Sequence, residues 1–191
     1  MNRLPKNISC NNKGFTLIEV LIAVIILSIG LLGMAGIQIK GLRGTTSSTV
    51  RSQATILAND IAERMHVNTN GVFITGANAN SHYANVNTNN ITCGEDNAPN
   101  FCSASPGNAD VEPCITPKEM AEFDIYEFAC GLGHNAGIKN LLPSGNATIS
   151  CNDMDNNCPP GSEITININW TELRPSDGEQ MNKTVTMVVV P

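Results

Sequence analysis

A 25-residue apolar run, Phe15 to Ile39, follows directly after a short polar leader and constrains this chain more than any other feature. As an α-helix the run would be about 37 Å long, at about 1.5 Å per residue. This length exceeds the roughly 30 Å of hydrocarbon in a bilayer, so it predicts a transmembrane helix over residues 15–39. A secretory signal peptide has its apolar core before the cleavage site and loses it. Here the leader comes first, so we expect the mature chain to keep the helix.

The leader, residues 1–14, is basic. It carries Arg3, Lys6 and Lys13 and no acidic residue. Basic residues next to an apolar span stay on the cytoplasmic side of the membrane. The pattern therefore predicts a single-pass protein in the inner membrane, with its N-terminus in the cytoplasm and everything after residue 40 outside.

One carboxylate, Glu19, lies near the start of the apolar run. Placing a charge in the bilayer costs roughly 2.5 kcal/mol or more at the helix centre and less near an end. One interpretation is an anchor whose Glu19 side chain reaches back to the interface. The other is a carboxylate that pairs with a cation of another chain, because opposite charges leave water at lower cost together than alone.

Composition excludes several classes of function. Removing the three leader cations takes the formal charge of the 191-residue chain from −6 to −9, which argues against a nucleic-acid partner. The three histidines are scattered, and the sequence has no Walker, Gly-x-Ser-x-Gly or His-Glu-x-x-His motif. We therefore expect no enzyme activity, no catalytic residue and no cofactor.

Cysteine usage indicates an oxidising compartment. Cys10 lies in the leader, and an even set of six cysteines remains in the exported part, which predicts up to three disulfides. The six are Cys93, Cys102, Cys114, Cys130, Cys151 and Cys158. Because no two of them are spaced as C-x2-C or C-x2-4-C, and no histidine falls near a cysteine pair at zinc-finger distance, we expect no metal site.

The pairing of the cysteines is only partly predictable. Cys151 and Cys158 flank a turn-rich segment between two predicted strands and form the one pair with a local argument. A nearest-neighbour assignment then joins Cys93 to Cys102 and Cys114 to Cys130, while other connectivities stay open. Residues 153–157 resemble the start of a calcium loop, but Cys158 and Ile164 replace its Gly and Glu, so we favour a polar hairpin loop.

Beyond the membrane span, apolar residues at spacings of three and four predict that the helix continues as a stalk to residue 67. They are Val50, Ala54, Leu57, Ile61 and Met65. Asp60 and Arg64 are placed to form an i, i+4 ion pair. Residues 68–113 have no sustained period and predict a long exposed loop tied by cysteines. Thr116 and Pro117 then predict the start of another helix.

Three stretches near the C-terminus alternate with period two, which predicts half-buried strands. They run through Ala147, Ile149 and Cys151; through Ile164, Ile166, Ile168 and Trp170; and through Val185, Met187 and Val189. Short connections favour an antiparallel meander with one face packed on the stalk helix. The predicted fold class is α+β.

The junction itself resembles a known family. Gly14, Phe15 and Glu19 resemble the class III leader and first mature residues of type IV prepilins and pseudopilins. The resemblance implies that a prepilin peptidase cuts between Gly14 and Phe15 and N-methylates Phe15. It also implies that Glu19 pairs with the Phe15 amine of a neighbouring subunit during fibre assembly. With this resemblance, the anchor-only interpretation becomes the weaker one.

Downstream segments resemble a subgroup, the PilV-like type IV pilus modification proteins. They are residues 56–65, Asp124, residues 142–145 and residues 166–170. The resemblance implies a type IV pilin-like fold with a leader at 1–14, an N-terminal helix at 15–67 and a globular head at 68–191. It implies a minor pilin that primes or promotes assembly, in contact with major and minor pilins and the inner-membrane assembly platform, and located also in the extracellular pilus. A type II secretion pseudopilin and a tip-displayed adhesin are the alternatives.

Overall fold

A computed structural model describes residues 14–74, 81–94, 99, 102, 114, 116–131, 136–152, 158–174 and 178–191. Its elements in chain order are helices α1 (Leu17–Val67) and α2 (Thr69–Val72), strand β1 (Val86–Asn87), a 3-10 helix (Thr88–Asn90), helices α3 (Pro117–Cys130) and α4 (Ile138–Leu141), and strands β2 (Asn146–Cys151), β3 (Ile164–Leu173) and β4 (Gln180–Val189). This order confirms the α+β fold class, with a long N-terminal helix and a C-terminal antiparallel sheet.

Helix α1 changes character along its length. Every residue from Leu17 to Thr49 is exposed or partly exposed, whereas most of the apolar residues beyond that point face the core of the head; Ile56 and Val67 stay exposed. The buried ones are Val50, Ala54, Leu57, Ala58, Ile61, Ala62 and Met65. Their spacing of three and four confirms the predicted stalk stripe. By internal packing the chain divides between Arg43 and Gly44, so the second half of α1 belongs to the compact head.

The sheet has four strands in the order β1-β2-β3-β4, all antiparallel. The three predicted alternating stretches correspond to β2, β3 and β4, and β3 buries every second residue from Ile164 to Trp170. The prediction of three strands was incomplete, because the two-residue strand β1 adds a fourth by pairing Val86 with Ile149. Two residues are too few for a periodicity signal, so only the pairing reveals this strand.

The core joins helix and sheet in one hydrophobic cluster. It contains the buried stripe of α1, the inward face of β2 and β3, and Phe128 of α3. Val185, Met187 and Val189 of β4 pack against it but remain half-buried. The inward face of the sheet is therefore fully covered under β3 and only partly covered under β4.

Helix α3 begins where the sequence predicts. Thr116 is the N-cap and Pro117 the first helical residue, and Thr116 and Glu119 exchange hydrogen bonds in a capping box. The helix ends at Gly131, whose φ of 78° lies in the left-handed region that glycine tolerates. The backbone at Ala136 approaches within 2.4 Å of where a Gly131 Cβ would stand, so a larger residue does not fit there.

The expectation of a long exposed loop tied by cysteines over residues 68–113 was right about the cysteines but wrong about exposure for the described part. Helix α2, β1 and the 3-10 helix fall inside it, and Val72, Tyr83 and Thr88 are fully buried. The Thr88 hydroxyl accepts a hydrogen bond from the Ala147 backbone over 2.8 Å, which fixes this segment to β2. These contacts are made with residues far along the chain, so local sequence period gives no sign of them.

The disulfides differ from the nearest-neighbour assignment. Cys151 pairs with Cys158, as the local argument predicts, with Cα atoms 5.9 Å apart. Cys93 instead pairs with Cys130, and Cys102 with Cys114, with Cα separations of 5.5 Å and 4.6 Å. The assignments of Cys93 to Cys102 and of Cys114 to Cys130 were therefore wrong. The reason is tertiary: Cys130 ends α3 in a small cluster with Tyr126, against which Cys93 packs.

Candidate functional site

The candidate site is the start of α1, where the predicted processing and assembly residues lie. Gly14 and Phe15 are exposed and precede the helix, and nothing stands within 4 Å of where a Gly14 Cβ would be. Thr16 closes the first turn, because its carbonyl accepts hydrogen bonds from the backbone N–H groups of Glu19 at 3.1 Å and Val20 at 3.3 Å. The residues on both sides of the predicted scissile bond are therefore exposed. Residues 1–13 of the predicted leader lie outside the described residues.

The apolar residues around this site are highly exposed in the single chain. The side chains of Phe15 and Leu17 are 83% and 91% exposed. Over its most apolar 18 residues α1 has a mean hydropathy of 2.8, and none of that window is buried within the chain. By length and composition α1 is the one helix among the described residues that can cross a membrane. A surface of this kind needs lipid or other chains to cover it.

Glu19 lies in the first turn of α1. The positive end of the helix dipole favours a carboxylate in this position. Among the described residues, no side chain forms an ion pair or hydrogen bond with the Glu19 carboxylate. Within the described part of the chain, the Glu19 carboxylate therefore has no cation beside it.

A second polar cluster, which the sequence did not reveal in full, joins α1 to α3. The predicted pair of Arg64 with Asp60 is present at 3.0 Å. Arg64 also donates from Nη1 to Glu127 at 2.7 Å and to Asp124 at 3.1 Å. Asp124 in turn accepts from the Tyr83 hydroxyl over 2.5 Å. The Arg64 guanidinium thus binds two acids of α3, and Asp124 links it to the segment that contains Tyr83.

Burial and partners perturb the pKa values in this cluster. Burial raises the pKa of Tyr83 well above its usual 10.0, and its hydrogen bond to Asp124 raises it further. Burial also raises the pKa of Asp124, against the opposing effect of its hydrogen bonds from Tyr83 and Arg64. Burial lowers the pKa of Arg64, but its bonds to Glu127 and Asp124 outweigh this and raise it. Arg64 and Tyr83 therefore keep their protons at any ordinary pH.

Comparison with known families agrees with this anatomy. A family described as the prokaryotic N-terminal methylation motif matches residues 9–35. A family described as type IV pilin Tt1218 matches residues 36–126. The chain is a type IV pilin subunit. Searches of curated proteins and of solved structures gave no match.

The two matched ranges cover different parts of the pilin. The first contains Gly14, Phe15 and Glu19, and the second contains Arg64 and Asp124. Strands β2, β3 and β4 lie beyond residue 126, outside both ranges. Three of the four strands of the sheet therefore lie where neither family model matches, whereas β1 lies inside the second range.

A carboxylate of the sheet, Glu172, forms a hydrogen bond with α1 near Ser47. Glu172, near the end of β3, accepts a hydrogen bond from the Ser47 hydroxyl of α1 over 2.8 Å. Its other oxygen accepts from the indole N–H of the buried Trp170 over 2.7 Å. This second connection secures α1 to the sheet near the start of the head of the pilin.

Two other features considered from the sequence, a metal site and a calcium loop, have no counterpart among the described residues. Among the described residues, no three His, Cys, Asp or Glu side chains are grouped so that they could hold a metal ion. The calcium-loop-like segment, residues 153–157, lies outside the described part of the chain. A shallow cavity of about 260 Å³ lies at one end of the sheet, lined by neutral side chains that include Asn146, Asn169 and Asn182.

Proposed function

We propose that this pilin is a minor subunit of the PilV-like group, which primes or promotes the assembly of type IV pili. The observation that carries the proposal is the single carboxylate, Glu19, in the first turn of α1, at the start of a stretch that is otherwise apolar and exposed up to Ile39. An anchor that only holds a protein in lipid gains nothing from a charge at this depth. A subunit that must leave the membrane and pack against neighbouring helices does gain from it.

In the proposed sequence of events, a prepilin peptidase cleaves after Gly14 and methylates the new N-terminus at Phe15. The absence of a side chain at Gly14 suits a peptidase that needs a small residue before the scissile bond. The Phe15 ammonium of one subunit then pairs with Glu19 of its neighbour inside the fibre. Because each charge neutralises the other, the apolar helices can pack without leaving a buried charge unpaired.

The proposal places the protein first in the inner membrane as a single-pass protein, with the head in the periplasm, and then in the extracellular pilus. Its partners are the prepilin peptidase, the major and minor pilins and the assembly platform of the inner membrane. A type II secretion pseudopilin would use the same N-terminal chemistry. The type IV pilin match over residues 36–126 favours the pilus.

A tip-displayed adhesin is the second candidate, and the disulfides favour it. Two of them, Cys93–Cys130 and Cys102–Cys114, tie the chain between Tyr83 and α3. Cross-linked loops of this kind withstand exposure outside the cell. A null strain distinguishes the two candidates: loss of fibres supports priming, whereas normal fibres that fail to attach support an adhesin.

Glu19→Val tests the assembly role directly. We expect the variant to be cleaved and inserted normally, because Val raises the apolarity of the span. Its incorporation into sheared fibres should fall at least tenfold, because an unpaired buried cation costs about 3 kcal/mol or more. Ser28→Val is the matched control, since Ser28 lies in the same span and bonds only to its own helix, at Val24. Immunoblots of sheared fibres that show normal incorporation of Glu19→Val would refute the proposal.

A further inference from the structure

The outward face of the sheet, on the side away from the head half of α1, is polar but uncharged. On β3 the residues from Ile164 to Trp170 that face the core alternate with Thr165, Asn167 and Asn169, which face outward. The pairing register places Asn, Ser, Thr, Gln and one Val residue of β2 and β4 beside them. On these three strands no acidic or basic side chain lies on the outward face, although the chain has a formal charge of −6.

The shallow cavity of about 260 Å³ opens at one end of this face. Its lining consists of Ser144, Asn146, Asn169, Trp170, Thr171 and Asn182. Trp170 is only 3% exposed, so the accessible lining is supplied almost entirely by amide and hydroxyl groups. Pockets for drug-sized ligands measure roughly 300 to 1,000 Å³. A cavity just below that range suits a ligand of about one ring.

A chain of side-chain hydrogen bonds orients the amides of the cavity. The Thr184 hydroxyl donates to Asn169 Oδ1 over 2.7 Å, and Asn169 Nδ2 donates to Asn146 Oδ1 over 3.3 Å. The chain therefore crosses the sheet from β4 through β3 to β2. It holds the Asn169 and Asn146 amides in one orientation before a ligand arrives, which lowers the entropic cost of binding.

Other polar groups of the cavity are unused within the described part of the chain. The Asn182 side chain, the Ser144 hydroxyl and the Asn146 Nδ2 group make no hydrogen bond to any described residue. Asn182 is exposed and lies opposite Thr171 in the ladder. A primary amide has two N–H donors and one carbonyl acceptor, and a hydroxyl both donates and accepts. The cavity therefore presents donors and acceptors side by side without a formal charge.

This chemistry selects among classes of ligand. An anion needs a cationic partner and a metal ion needs carboxylates, and the cavity lining contains neither. An apolar ligand needs apolar surface, and protein partners are held mainly by aromatic, Met and Arg side chains. A sugar ring carries adjacent hydroxyls, each of which donates and accepts, and therefore matches neighbouring amides and hydroxyls.

We propose that this cavity binds one ring of an uncharged saccharide, with Asn182, Asn146 and Ser144 as its hydrogen-bonding groups. The inference goes beyond the assembly role of Glu19 and does not rest on it. The cavity lies on the side of the sheet opposite the head half of α1, so contacts between subunits through α1 leave it accessible. Saccharide binding would also give the adhesin candidate its class of ligand.

NMR titration of the full-length protein tests the site, in a detergent without a sugar headgroup. The probes are the methyl glycosides of glucose, galactose, mannose and N-acetylglucosamine. We expect at least one of them to shift the side-chain amide signals of Asn146 and Asn182 saturably, with a dissociation constant in the millimolar range, since neutral hydrogen bonds contribute little each. Glucuronate, which carries a charge, and glycerol, which has no ring, should bind at least about fivefold more weakly.

Two variants locate the binding. Asn182→Ala should weaken it at least about fivefold, while the fluorescence of Trp170 reports an intact head. Asn167→Ala, on the same face of β3 but outside the cavity, is the matched control and should bind normally. The absence of saturable shifts with all four glycosides up to about 100 mM, equal binding of glucuronate or glycerol, or equal losses in the two variants would each overturn the proposal. Glu19→Val should bind normally, which separates this site from fibre assembly.

Discussion

Arg64 of α1 and Glu127 of α3 are joined by a 2.7 Å hydrogen bond between Nη1 and Oε2. The same guanidinium nitrogen lies 3.1 Å from Asp124, whose side chain is 9% exposed. Asp124 also accepts a hydrogen bond from the Tyr83 hydroxyl. Arg64 therefore neutralises the two acids of α3, and these contacts join α1, α3 and the segment that contains Tyr83. This cluster, rather than any exposed ion pair, is where we expect polar substitutions to be most costly.

Arg64→Met should lower the free energy of unfolding by about 2 to 3 kcal/mol, because Asp124 and Glu127 lose their charged donor. Asp60→Asn is the control. It removes only the exposed i, i+4 pair of the same arginine and should cost about 0.5 kcal/mol or less. Urea titration of the detergent-solubilised protein, followed by the fluorescence of its single tryptophan, measures both. Equal losses in the two variants would contradict the central role of the cluster.

The pKa of Tyr83 predicts how stability depends on alkaline pH. Tyr83 keeps its proton in the folded state above pH 10, whereas in the unfolded state it loses it near its usual value of 10.0. The unfolded state then binds fewer protons, so stability falls as pH rises above about 10, by at most about 1.4 kcal/mol per pH unit. In Tyr83→Phe, the free energy of unfolding should fall less steeply with pH between pH 9.5 and 11. The change in slope should correspond to about one proton. Tyr126→Phe, which leaves Tyr83 in place, should keep the slope.

Gly14→Leu tests the processing site. We expect full-length protein to accumulate in the membrane, because the peptidase then meets a bulky side chain before the scissile bond. Thr16→Ser is a control that keeps a hydroxyl at the start of α1 and should be cleaved normally. Mass spectrometry of the wild-type protein should find a methylated N-terminus at Phe15. A mature N-terminus at any other residue would overturn the assignment of Gly14 and Phe15.

The disulfide pairing makes a prediction that separates it from the nearest-neighbour assignment. Cys130→Ser should free the thiol of Cys93, because these two residues are joined. The nearest-neighbour assignment would free Cys114 instead. Opening the loop of 37 residues should also lower the free energy of unfolding by about 3 to 4 kcal/mol in the chain-entropy account. Thiol alkylation followed by peptide mapping identifies which cysteine reacts.

Features governed by neighbours in sequence were predictable from the sequence. The apolar run predicts α1, the spacing of Val50, Ala54 and Leu57 predicts its buried stripe, and Thr116 with Pro117 predicts the start of α3. The alternation along β3 likewise appears as strict alternation of buried residues. Helix caps, helical faces and strand faces depend on residues within a few positions of each other, so their signals survive in a single sequence.

Only the tertiary structure decided the contacts between distant residues. Strand β1, the Cys93–Cys130 link and the bonds of Arg64 to Asp124 and Glu127 all join segments from separate parts of the chain. Nothing in the local pattern of Val86 or Tyr83 distinguishes them from residues of a loop. Their positions follow from which surfaces remain to be covered once α1, α3 and the sheet have packed, and that depends on the whole core.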